Sequence, residues 1–111
     1  MITRYALFEG QVHPGQIEAF RAAVLYELLP VWRSFPGALA VHVTFADDRD
    51  AGAPEFPLIL AIDWPDRATV DAFLNHPIRK EGRAATEAVL ARFFTGRIHH
   101  HVTTAHSFAP A

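Results

Sequence analysis

From Leu58 to Trp64 every residue except Asp63 is apolar, the pattern of a short strand covered on both faces rather than one half-facing water. Trp64-Pro65-Asp66 ends the run. Asp66 stands where a capping carboxylate accepts from the free amides of a new helix, and Val70, Phe73 and Leu74 recur on one side until Asn75-His76-Pro77 stops it. Leu39 to Ala46 alternates, placing Leu39, Val41, Val43 and Phe45 on one face and Ala40, His42 and Thr44 on the other. Ile2 to Gly10 has strand composition, and His13-Pro14-Gly15 is a turn signal after it. From Gln16 the period becomes helical through Ile17, Phe20, Val24, Leu28 and Val31. Pro30 predicts a kink or a separate last turn that carries Trp32 and Phe35 under the sheet. Asp47 to Phe56 collects acids, Gly and Pro and reads as an exposed hairpin loop. A further helical period runs from Ile78 to Phe94, closed by Gly96, before a final strand from Arg97 to Phe108.

This order, β-α-β-β-α-β, predicts one ferredoxin-like α+β domain over residues 1–111, with four antiparallel strands and the helices on one side of the sheet. One sheet face is then bare. Leu58 to Ile62 offers no polar side for water, so a second copy is expected to cover it, giving a homodimer whose two sheets form a barrel. The last strand exceeds the usual length of about five or six residues, and its far half is expected to extend onto the other subunit.

Composition narrows the class. Half of the 111 residues are hydrophobic and 20% charged, which excludes a disordered tail. A net charge of -2 supplies no basic field for nucleic acid, and the absence of cysteine excludes disulfide and thiolate chemistry. No signal peptide is visible and no stretch of 18 apolar residues occurs, so no membrane association and a cytoplasmic location are expected.

Candidate chemistry rests on the seven histidines, the side chain best suited to proton transfer near neutral pH. In a strand, His99 and His101 share one face about 6.5 to 7 Å apart, close enough to hold a small anionic ligand or a metal between them, while His100 points the other way. The reading adopted here takes no metal and no cofactor. The face carrying Arg97, His99, His101 and Thr103 can join the thin face of the second strand, where His42 sits; the plain alternative is hydrogen bonding along a strand. Asp63 interrupts an apolar strand and needs a partner, with Arg4 or a histidine available. Candidates for proton transfer are therefore His42, His76, Tyr5 and Asp63. Candidates for holding a ligand are Arg4, Phe73, Trp64, Arg83, His99, His100 and His101. Arg79, Lys80 and Arg83 form either a solvated helix face or a rim that steers anions to a pocket mouth.

The strand ending in Trp64, the acid-capped helix and Phe73-Leu74-Asn75-His76-Pro77 resemble the dimeric α+β barrel superfamily, which includes antibiotic-biosynthesis monooxygenases and stress-responsive barrel proteins. Polyketide cyclases of that group carry Tyr where this chain has Phe73 and His where it has Arg79. Haem-degrading members carry Trp at the Phe73 position, a His near Arg83 and an Asn in the first strand. This chain has neither set. The resemblance implies a homodimer binding a small apolar or aromatic molecule. It further implies a cofactor-independent monooxygenase that deprotonates a phenolic or anthrone-like substrate, or else a non-catalytic ligand-binding or stress-responsive barrel.

Overall fold

The structure, a computed structural model, describes residues Met1–Ala111. Four strands form one antiparallel sheet: β1 (Ile2–Val12), β2 (Ala40–Phe45), β3 (Leu58–Trp64) and β4 (Phe94–Thr104), in the order β2-β3-β1-β4. All the helices pack on one face of it. They are α1 (Ile17–Ala23), continued by a π-helical stretch (Val24–Leu28) into α2 (Leu29–Trp32), then α3 (Arg67–Leu74) and α4 (Ile78–Phe93). This is the ferredoxin-like α+β arrangement expected from the element order. The molecule measures 41 × 40 × 20 Å, thick enough for one sheet and one helical layer only.

Strand pairing decides which side chains reach the helices. On β1 and β3, Ile2 pairs with Trp64, Ala6 with Leu60 and Phe8 with Leu58, all on the helical side. The intervening pairs Thr3 with Asp63, Tyr5 with Ala61 and Leu7 with Ile59 lie on the open side. Val41, Val43 and Phe45 of β2 join the helical side, as its alternation predicts, but Leu39, expected with them, precedes the strand and is exposed.

The long first helix buries Phe20, Val24, Leu28 and Trp32, a strict spacing of four. At 3.6 residues per turn, each such step drifts by about 40° around an α-helix. The wider π turns between Val24 and Leu28 absorb part of that drift, and Pro30, which has no amide hydrogen to donate, enters the first turn of α2. Trp32 and Phe35 thereby come to lie buried under the sheet. Asp66 caps α3 as expected, accepting from the Thr69 amide at 2.8 Å and the Thr69 hydroxyl at 2.7 Å.

Three boundaries differ from the sequence reading. β1 continues through Gln11 to Val12, because β4 supplies pairing partners that far. Gly96 does not close a helix; α4 ends at Phe93, Phe94 is already extended, and Gly96 lies inside β4 opposite Gly10. The last strand spans Phe94–Thr104 rather than Arg97 to Phe108, and all eleven residues pair with the eleven of β1 in the same chain, from Val12 with Phe94 to Ile2 with Thr104. No surplus is left to cross to another subunit. Beyond it, Ala105 donates once to the Met1 carbonyl and the rest, including exposed Phe108, has no regular structure.

Gly10 and Gly96 face one another with the Phe94 ring against both. A Cβ at Gly96 would collide with the Glu9 carbonyl oxygen, and one at Gly10, where φ is +151°, with that of Thr95. Replacing Gly96 with Ala is expected to destabilise the chain by about 2 kcal/mol or more, read as a lower midpoint in urea unfolding. An unchanged midpoint would mean that the two strands do not approach this closely.

Candidate functional site

α4 changes character along its length. Its buried stripe is Gly82 and Thr86 in the first half and Val89, Leu90 and Phe93 in the second. The bulky half fills the core with the Phe20, Phe45 and Phe94 rings, each centred 6.4 Å from its neighbour at Phe20. Between α4, from Arg79 to Ala91, and the sheet lies a cavity of about 460 Å³, within the range of small-molecule sites. Ala6, Leu60 and Ile62 floor the cavity, and Trp32, Phe35 and Phe73 wall it. Gly82 permits this wall, since the Phe35 ring lies where a Cβ would stand. The Trp32 indole donates to Thr86 Oγ1 at 3.2 Å, and that hydroxyl donates to the Gly82 carbonyl at 2.8 Å, so the polar atoms of the wall are satisfied.

Three guanidinium groups and one imidazole line this apolar space: Arg4 from β1, Arg79 and Arg83 from α4, and His100 from β4. Arg83 is held by Glu87 at 3.0 Å, whereas Arg4 and Arg79 have no anionic partner. Burial pulls the Arg4 guanidinium down to about 10, with Arg79 adding to the effect. Burial also draws the His100 imidazole down to about 4, helped by the charges of Arg4, Arg79 and Arg83 and by His99. His100, an exposed residue at the cavity's edge whose ring is only half-buried, is therefore neutral at pH 7, and the positive field keeps it a weak base.

The opposite sheet face carries two hydrogen-bonded groups. His42 Nε2 donates to Asp63 Oδ2 at 2.8 Å and Thr3 donates to Asp63 Oδ1 at 2.8 Å. Partial burial pushes the Asp63 carboxyl up, but the hydrogen bonds from His42 and Thr3 outweigh it and hold the group below its ordinary 3.8. Near the other end of the face, Glu9 accepts from His99 at 2.8 Å and from Arg97 at 3.3 Å, and these bonds hold its carboxyl low as well. Tyr5 sits in the middle of this face, paired with Ala61 on one side and His101 on the other.

No family model matches the chain, and no curated protein matches it by sequence. Solved structures do. An EthD (ethyl tert-butyl ether D) family protein from Bacillus halodurans aligns over 96% of this chain and 99% of its own at 18% identity, with a TM-score of 0.73. SnoaB, a cofactor-independent oxygenase from Streptomyces nogalater, aligns over 99% and 97% at 18% identity and a TM-score of 0.61. A dimeric ferredoxin-like protein of unknown function from Jannaschia sp. CCS1 aligns over 94% and 98% at 15% identity and a TM-score of 0.61. The chain has their ferredoxin-like fold. At such identities the likeness is one of scaffold, and a scaffold of this kind hosts many chemistries, so the site must be argued from these residues.

The residues singled out in the sequence fall into three places. Arg4, Phe73, Arg83 and His100 meet in the cavity, with Trp64 behind Phe73 at 4.9 Å between ring centroids. Tyr5, His42, Asp63, His99 and His101 lie on the open face, on the far side of the sheet from the cavity. His76 is exposed between α3 and α4, where its Nδ1 accepts from the Ile78 amide at 3.0 Å, a capping contact. Trp32, Thr86 and Glu87 also line the cavity but carry no signal in the sequence beyond helical periodicity. Arg79 does carry one, its spacing of four from Arg83, which puts both on one side of α4.

Because the folded pKa of Asp63 lies below the unfolded value, its stabilisation is complete above pH 3.8 and is lost as pH falls through the folded value. The stability gap between wild type and Asp63→Asn is thus expected to be constant near neutral pH and to narrow below about pH 4, measured by urea unfolding across pH. A gap that does not change with pH would mean that the hydrogen bonds to Asp63 do not favour its ionised form.

Proposed function

We propose that this chain forms a homodimeric α+β barrel in which each sheet–helix cavity binds a small, largely apolar, oxygenated molecule and acts on it as a cofactor-independent monooxygenase. The observation that carries this reading is the apolar cavity with a neutral imidazole, His100, set among guanidinium groups. A substrate with an acidic hydroxyl or an activated CH₂ would give up a proton to His100, and the field of the arginines would stabilise the resulting anion. That electron-rich anion reduces oxygen. With an anthrone, the CH₂ carbon loses both hydrogens and gains one oxygen atom as a ketone, while the second oxygen atom leaves as water. The likeness to the Streptomyces oxygenase supports this chemistry only at the level of scaffold.

The test is the oxygen-dependent conversion of 1,8-dihydroxyanthrone to its quinone, followed by absorbance with purified protein and no added cofactor. Wild type is expected to accelerate it, and His100→Gln to lose about 10²-fold or more of that acceleration. A wild-type rate at background would remove the oxygenase reading and leave ligand binding alone.

Dimerisation is supported by Leu7, Ile59 and Ala61, which stand on the open face with no second layer of this chain above them. Among the structures with this fold, the Jannaschia protein is dimeric. Sedimentation at micromolar concentration is expected to give a dimer, and the double variant Leu7→Lys, Ile59→Lys a monomer with unchanged helical circular dichroism. A wild-type monomer would overturn it.

A further inference from the structure

Most arginines of this chain already hold a carboxylate: Arg21 with Asp47, Arg49 with Glu55, Arg67 with Asp71, Arg83 with Glu87, Arg92 with Glu27 and Arg97 with Glu9. Arg33 is exposed to water. Arg4 and Arg79 are different. Both are partly buried, both line the cavity, and neither has an anionic partner. One comes from the central strand and the other from the first turn of α4, so they approach the same space from opposite walls. Two like charges held in an apolar setting raise each other's cost unless an anion joins them.

We propose that Arg4 and Arg79 are the seat of a carboxylate carried by an aromatic ligand. The proposal rests on the cavity reading above and adds the class of ligand to it. Two guanidinium forks suit the two oxygens of one carboxylate, and the one acid in the cavity wall, Glu87, is occupied by Arg83. The remaining wall, with Trp32, Phe35, Phe73, Leu60 and Ile62, accepts rings and offers nothing to a second charged group. Binding also acts on His100. Besides burial, the groups that lower its proton affinity are Arg4 from β1, Arg79 and Arg83 from α4, and His99 within β4, while Glu87, held by Arg83, and Arg97 also line the cavity. A carboxylate between Arg4 and Arg79 offsets the first two, so His100 becomes a better proton acceptor when the ligand is present.

Calorimetry with the full chain and three probes of one skeleton tests this: naphthalene-2-carboxylate, uncharged 2-naphthamide and 2-naphthyl phosphate. The Trp32 indole resonance reports whether each enters the cavity. The carboxylate is expected to bind about tenfold or more tightly than the amide. Arg4→Gln and Arg79→Gln should each remove most of that preference while 2-naphthamide binding, and with it the fold, is retained. The His100 imidazole titration should move upward with the carboxylate and stay in place with the amide. Equal affinity for carboxylate and amide, a preference that survives both substitutions, or tighter binding of the phosphate overturns the assignment while leaving the cavity a ligand site. If no probe shifts Trp32, the cavity reading itself fails, and the carboxylate seat with it.

Discussion

The register between β1 and β4 is the constraint on which the rest of the site depends. Side chains alternate along a strand, so a slip by one residue would exchange every group between the cavity and the open face. His99, His100 and His101 are chemically identical neighbours, and only pairing separates them: His100 opposite Ala6 belongs to the helical side, and His99 opposite Leu7 to the open side. What pins this register is close approach. Gly10 and Gly96 pass with no room for a Cβ on either, and the Phe94 ring fills the space beside them while stacking on Phe20 in the core. The same contact that anchors the core therefore selects which histidine lines the cavity.

Much of this architecture is legible in the residue order. The apolar β3 run, the Asp66 cap and the alternation of β2 are local signals, and each reports a local choice of backbone. The misread features are those in which a distant partner decides. Gly96 looks like a helix terminator because Gly so often is one, but its role is set by Gly10, far away in the chain. The length of β4 suggests an unpaired surplus until β1 is seen to be equally long. The π stretch had a signal in the spacing of Phe20, Val24, Leu28 and Trp32, although a period of four is easily taken for an α-helical one. The site was legible only as types of residue. Alternation separates His100 from its neighbours but cannot say which side holds a cavity, because the space lies between α4 and the sheet and depends on how the helix packs over β1 and β4.

The two faces of the sheet use histidine in opposite ways. On the open face His42 and His99 each meet a carboxylate, at 2.8 Å in both cases, and these bonds favour the ionised acids. Groups so paired satisfy one another and have little left to offer a ligand. In the cavity His100 faces cations, which favours the neutral ring and leaves its lone pair free. Proton transfer needs an acceptor that is not already engaged, and of the histidines only His100 lines the cavity.

Arg4 is a costly residue for the unliganded fold. A guanidinium in the central strand, facing an apolar space and a second guanidinium, weakens the unliganded fold, and an aliphatic residue there would pack better against Ile62 and Val102, its neighbours across the sheet. The surrounding structure has to offset that cost, and the aromatic cluster around Phe20 does so, with the Arg21 and Arg92 guanidinium groups lying over its Phe45 and Phe93 rings. The Phe20 cluster is closely packed, and Phe94 belongs both to it and to the cavity wall, beyond which Arg4 and Arg79 stand without an anion. An anionic ligand would complete that pair without disturbing the cluster, because the register set by Gly10 and Gly96 holds the floor of the cavity in place whether or not it is filled.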